Sequence, residues 1–284
     1  YPFFGIALLT MAVGIAGAMI FKGFNGSLAL NELTTGDFKN MHRNPGQNIL
    51  YPMMFIVISC GAISGFHSTQ APLMARCLRK ESKGRKAFYG AMIAEGIVAI
   101  IWATAAMNYF GDVHNLSDAM QPKAHNPAWV VNEISQNWLG KVGGFLAILG
   151  VIACPITTGD TAFRSARLTI ADIFRYKQGK LSKRLMVSIP LFTGGFIMSQ
   201  LEFATIWKYL GLSNQILAVI VLWTAAMYLA IKKKNHFIIS IPATFLTAVC
   251  ATYLMVAPVK NGGLSLPTEI GYPVGVLVAI LAFI

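Results

Sequence analysis

The chain is short of charge. Asp, Glu, Lys and Arg make up 12% of its 284 residues, against about 25% in an ordinary soluble domain. That leaves too little polar surface for a water-solvated globule. Cysteine is scarce as well: Cys60, Cys77, Cys154 and Cys250 are the only four, and none forms a C-x-x-C pair. Neither a disulfide framework nor a zinc site is expected from that spacing, and no cofactor is expected.

Apolar sequence is plentiful. Hydrophobic residues are 55% of the chain, with mean hydropathy +0.59. Apolar runs near 20 residues recur, the length that crosses ~30 Å of hydrocarbon at about 1.5 Å per residue. They predict eight spans, at 2–21, 49–72, 87–108, 142–163, 185–199, 205–231, 237–257 and 272–284. The expected fold is an all-α, polytopic transmembrane helix bundle, one transmembrane domain over 1–284, embedded in a lipid bilayer. Residue 1 is a tyrosine inside an apolar run, and the last run holds only 13 residues. A longer parent protein is expected, with an N-terminal half as partner to this piece.

The net charge of +12 has a topological explanation. Sixteen of the 23 basic residues fall in three segments, 76–86, 164–184 and 232–236. These alternate with loops poor in Lys and Arg. The bias places the three basic loops in the cytoplasm of a multi-pass plasma-membrane protein and loops 22–48 and 109–140 outside. A nucleic-acid partner is not needed to explain it. The long loop 109–140 suits a short interfacial helix.

Polar residues interrupt two spans. The first interruption is GAISGFHSTQAP, residues 61–72. Gly61 and Gly65 permit unwinding, Pro72 ends or restarts a helix, and Ser64, Ser68, Thr69 and Gln70 offer hydrogen bonds. Unpaired backbone groups in hydrocarbon cost several kcal/mol each. Transporters tolerate them where broken helices line a site and half-helix N-termini face anionic groups. The other reading is close helix packing through small residues. His67, the one histidine inside a span, is either a hydrogen-bonded core residue or a proton and substrate group. Phe66 lies in the same candidate substrate segment.

The second interruption is ACPITTGDT, residues 153–161. Pro155 removes a backbone donor and Gly159 loosens the turn. Thr157, Thr158, Asp160 and Thr161 cluster oxygens that would suit a hard cation or a proton path. Asp160 and Arg164, spaced i,i+4, could instead simply pair. Glu95 sits in AMIAEGIVAIIWATA, where an ionised carboxylate is costly. It is a candidate proton carrier or a buried hydrogen-bonding group. Asn214 and Gln215 in the sixth span are candidate gate or packing residues.

Two segments, GAISGFHS and ITTGDTAFRSARLTIAD (156–172), resemble the signatures of the carbon-starvation (CstA) family of membrane transporters. The likeness runs from about residue 44 to 230. It implies uptake of pyruvate or of peptides, with proton coupling favoured for pyruvate. The family is similar to the amino acid–polyamine–cation superfamily, which implies a LeuT-type inverted repeat. In that frame span 49–72 is the broken sixth helix, and Thr157 and Thr158 are cation-site analogues.

The leading expectation is therefore a secondary transporter for a small carboxylate or peptide, not an enzyme. An intramembrane serine hydrolase with Ser64 as nucleophile is the alternative. It lacks a base on a separate element, because His67 follows three residues later. A channel is the third reading, and no selectivity-filter-like run supports it.

Overall fold

The computed structural model describes residues 2–28, 40, 42, 44–46, 48–58, 65–121, 125–201 and 203–284. Among them every regular element is helical: α1 Pro2–Phe24, α2 Leu50–Val57, α3 Gly65–Cys77, α4 Ala91–Tyr109, α5 Val113–Ala119, α6 Pro127–Ile173, α7 Leu181–Ser199, α8 Phe203–Ile231, α9 Phe237–Val256 and α10 Thr268–Phe283. Five helical stretches are long and apolar enough to cross a membrane: Phe4–Phe24, Glu81–Tyr109, Pro127–Ile173, Ile206–Ile231 and Phe237–Val256. The three other expected spans fall on shorter or less apolar helices. Span 49–72 is divided between α2 and α3, span 185–199 is α7, and span 272–284 is the 16-residue α10.

The helices bury one face and leave another apolar face open. In α1, Ala7, Met11, Ala12 and Ile15 are buried, whereas Ile6, Val13 and Ile20 are more than half exposed. Exposed apolar stripes of this kind are a liability in water. Against acyl chains they are the expected outer surface of an integral membrane protein.

The chain forms two compact units, Tyr1–Arg43 with Arg85–Ala162, and Asn44–Gly84 with Phe163–Ile284. In the first, α1 packs on α4. Ile15, Ala105, Val130 and Ile134 form a core flanked by Trp102, Tyr109, Trp129 and Trp138. The loop after α4 carries α5 and the start of α6. Inside α6, Gly140 alone is non-helical, at φ 63° and ψ −152°, a conformation open to glycine. The segments on either side meet closely: a Cβ on Gly143 would overlap the Ser135 carbonyl oxygen.

The expected loosening at Pro155 and Gly159 is not found, because α6 stays helical through both. The Thr161 hydroxyl donates back to the Thr157 and Thr158 carbonyls at 2.9 and 3.0 Å. Thr161 thus bonds back to its own helix without opening it.

In the second unit, α9 packs against α10, α8 and α2, and α3 packs against α8. Gly271, Gly275 and Ala279 form the buried stripe of α10. A Cβ on Gly275 would overlap the Thr252 hydroxyl, so glycine permits this small-residue contact. Ile56, Leu212, Val249, Tyr253 and Ala257 make the core. Beyond α9 the chain folds back, and the Leu264, Leu266 and Ser265 amides bond to the Leu254, Met255 and Ala257 carbonyls at 2.8, 2.8 and 2.9 Å. Carbonyls in a helix's last turn have no partner within the helix, and this loop supplies them.

Candidate functional site

Among the described residues, span 49–72 holds two helices. The first, α2, ends at Val57 with Ile58 as its cap, at φ −83° and ψ 8°. The second, α3, begins at Gly65. Gly61 and Ser64, both expected in the substrate site, lie outside the described residues.

The ends that flank the interruption are held by one stripe of α8. Gly211, Asn214, Gln215 and Ala218 follow the i, i+3, i+4, i+7 spacing of a single helix face. Asn214 Oδ1 accepts the Phe66 backbone N–H at 2.7 Å. That amide lies in the first turn of α3, where helix N–H groups lack intrahelical partners. Gln215 Nε2 donates to the Phe55 carbonyl at 2.8 Å, in the last turn of α2. Neighbouring side chains on one helix therefore satisfy one half-helix at its C-terminal end and the other at its N-terminal end. Both are buried, Asn214 8% and Gln215 1% exposed.

The backbones approach closely at both contacts. Gly211 faces the Ile56 carbonyl, 3.1 Å from where a Cβ would stand. A Cβ on Gly65 would overlap the Asn214 carbonyl oxygen and stand 2.8 Å from Leu217 Cβ. Gln215 Oε1 is buried and has no hydrogen-bond partner among the described residues. An unsatisfied acceptor in such a place is costly unless a water or solute supplies a donor.

The other residues of the first polar segment continue from this junction. Phe66, His67, Ser68 and Gln70 are half-buried along α3. The His67 ring meets the Phe66 ring edge-on, with centroids 6.2 Å apart. Ser165, on α6, donates to the Thr69 carbonyl at 3.4 Å. The expected coupling residues Glu95, Thr157, Thr158, Asp160 and Thr161 belong to the other unit. There Glu95, Thr157 and Thr161 are half-buried on their helices, and Thr158 and Asp160 are exposed.

A cavity of about 70 Å³ adjoins the interruption, bounded by α2, α8, the end of α9 and the loop beyond it. Its polar lining is Asn48, Trp207, Lys208, Asn214, Tyr253 and Asn261, and its apolar wall includes Met53, Ile56 and Val57. Asn214 is thus both the cap on α3 and part of this wall. Tyr253 Oη donates to the Asn261 carbonyl at 3.3 Å, tying the loop to α9. Sequence reasoning missed Lys208, Trp207, Asn48, Tyr253 and Asn261. Lys208 had a countable signal, being the one basic residue inside any of the eight expected spans.

The family model for the carbon starvation protein CstA matches residues 4–142 and 124–253. The chain belongs to the CstA family. Both CstA-like segments, 61–68 and 156–172, fall within the matched residues. An uncharacterized protein of Haemophilus influenzae is 51% identical over 44% of this chain and 90% of its own length. The peptide transporter CstA of Bacillus subtilis is 27% identical over 83% of this chain and 47% of its own length. The pyruvate/proton symporter BtsT of Escherichia coli is 43% identical over 20% of this chain and 8% of its own length. The chain thus spans less than half the length of the CstA-family transporters it matches. No solved structure matches it.

Proposed function

We propose that this chain is part of a secondary active transporter for a small, pyruvate-like carboxylate or a peptide, with the solute held at the interruption between α2 and α3. The observation that carries this reading is the brace across it. Asn214 and Gln215 hold the two helix ends at 2.7 and 2.8 Å, and Asn214 also lines a cavity. A structure that satisfies both ends of a divided helix from a third helix keeps backbone groups near a binding space at low cost, as transporter sites require. The amides at the start of α3, with Ser64 and Ser68, would meet the carboxylate, and His67 and Gln70 would complete the site.

Membership of the CstA family supports a carrier over a hydrolase or a channel, since its named relatives are peptide transporters and a pyruvate/proton symporter. Proton coupling through Glu95, Asp160 or His67 is part of the proposal. Sodium at Thr157, Thr158 and Thr161 is its variant. In a LeuT-type inverted repeat, α2 and α3 would together be the broken sixth helix. Eight spans would then cross the plasma membrane with loops 76–86, 164–184 and 232–236 in the cytoplasm.

The test is uptake by the intact protein in proteoliposomes, with pyruvate and dialanine under imposed proton or sodium gradients. Saturable, gradient-driven uptake of either solute is expected. Uptake that fails to saturate, or none with any gradient, overturns the reading.

A further inference from the structure

The hairpin between α6 and α7 is apolar and cationic at once. Residues 173–186 read IFRYKQGKLSKRLM. They hold five cations, Arg175, Lys177, Lys180, Lys183 and Arg184, and no acid; the nearest acids in sequence are Asp172 and Glu202. All five cations are exposed. So are the large apolar residues among them, Phe174 at 76% and Leu181 at 70%.

The hairpin is tied together. The Tyr176 N–H donates to the Ala171 carbonyl at 2.7 Å, closing α6, with Arg175 left-handed at φ 51°. Arg184 Nε donates to the Gln178 carbonyl at 2.8 Å. Lys183 Nζ lies 5.6 Å from the centroid of the Tyr176 ring. Side chains from the first turn of α7 therefore fold back on residues 176–178 and gather charge at the turn.

No single solvent suits this surface. Water leaves Phe174 and Leu181 solvated at a cost, and hydrocarbon does the same to five charges. The boundary between headgroups and acyl chains satisfies both. Zwitterionic headgroups would leave the surplus positive charge uncompensated, whereas anionic ones supply its counter-charge. Arg175 and Arg184 add guanidinium groups, which can pair with two phosphate oxygens at once. The other basic loops are poorer matches: 232–236 has three lysines and no arginine, and 76–86 carries Glu81 among its cations.

We propose that the α6–α7 hairpin is a docking surface for an anionic phospholipid, with Arg175, Lys177, Lys180, Lys183 and Arg184 around the phosphodiester and Phe174 and Leu181 against the upper acyl chain. The inference holds whichever solute the protein carries.

Native mass spectrometry of the purified intact protein in detergent tests this, by titration with phosphatidylglycerol or phosphatidylcholine of matched chains. The first phosphatidylglycerol should bind at least about tenfold more tightly, since each basic group near an anionic surface is worth about a fivefold preference. Hydrogen exchange in peptides covering 173–186 should slow with phosphatidylglycerol and not with phosphatidylcholine. Arg175→Gln, Lys177→Gln, Lys180→Gln and Lys183→Gln together should cut the preference to about threefold or less. Lys232→Gln, Lys233→Gln and Lys234→Gln together should leave most of it. Equal binding of the two lipids, unchanged exchange at the hairpin, or equal losses in the two variants overturns the proposal. Inorganic phosphate that slows exchange there as much as phosphatidylglycerol would make this a free-anion site and overturn the lipid assignment. The lipid comparison and the exchange measurement use the unmodified protein and so do not depend on a variant folding.

Discussion

Asn214 meets the start of α3 twice over, at Phe66 and at Gly65. The Asn214 side chain accepts the amide of Phe66, the residue after Gly65, at 2.7 Å. The Asn214 backbone carbonyl occupies the space where any side chain at Gly65 would begin. The first turn of α3 is therefore fixed by a hydrogen bond that needs Asn214 and by a gap that needs glycine. Gln215 repeats the arrangement on α2, with Gly211 making room against Ile56.

Gly65→Ala should disturb this junction. Its methyl group meets backbone on α8, which cannot swing aside as a side-chain tip can. Overpacking of this kind costs about 1–3 kcal/mol. Thermal unfolding in detergent should move down accordingly, and uptake per folded molecule should fall further than stability does. An unchanged melting temperature would show that α3 does not lie against α8 at this point.

Replacing the braces should loosen one half-helix each. Asn214→Leu leaves the Phe66 N–H without its partner, and Gln215→Met does the same to the Phe55 carbonyl. Each orphaned group costs about 1–3 kcal/mol when buried. Hydrogen exchange followed by mass spectrometry should show faster exchange at the start of α3 in Asn214→Leu. Peptides from α10 should exchange as before. Uniform acceleration across the chain would mean general destabilisation and no local brace.

The α9–α10 contact offers a rescue experiment. Gly275→Ala places a methyl group on the Thr252 hydroxyl, an oxygen that is buried and has no hydrogen-bond partner among the described residues. Destabilisation by about 1–3 kcal/mol is expected. Thr252→Ala removes the obstructing oxygen at little cost of its own and should recover part of the loss, a coupling in the range of about 0.5–3 kcal/mol for residues in contact. Strict additivity of the two changes would contradict the contact.

Coupling is tested at Glu95. Glu95→Gln keeps the side chain's size and removes its ability to carry a proton. Proton-driven uptake is expected to drop more than membrane abundance. Uptake that matches the wild type across a pH series would remove Glu95 from the mechanism.

Much of the helical framework was legible in hydropathy and charge. The interruption of span 49–72 was marked by glycines and polar side chains, since lipid makes that pattern expensive. Its brace was not legible in full. Asn214 and Gln215 stood out as polar residues in an apolar helix, but their partners Phe66 and Phe55 lie 148 and 160 residues away, and no local period reports such a contact. Pro155 and Gly159 read as a second opening because each weakens a helix alone. The surrounding turns hold, with Thr161 bonding back to Thr157 and Thr158. Lys208 was countable as a lone cation within an apolar span, but its cavity neighbours Asn48, Tyr253 and Asn261 are distant in sequence, and no local pattern reports them.

Water at the interruption separates a solute site from a dry packing defect. In a background with Cys60, Cys77, Cys154 and Cys250 replaced by serine, Ser68→Cys on α3 and Ile241→Cys on α9 can be treated with a small water-soluble methanethiosulfonate in intact membranes. The thiolate reacts, so a thiol in hydrocarbon stays inert while one reached by water is modified. Ile241 is 64% exposed on an apolar helix and serves as the lipid-facing control. Ser68→Cys should be modified many times faster than Ile241→Cys. Equal inertness at both positions would show that no aqueous site exists beside Gly65.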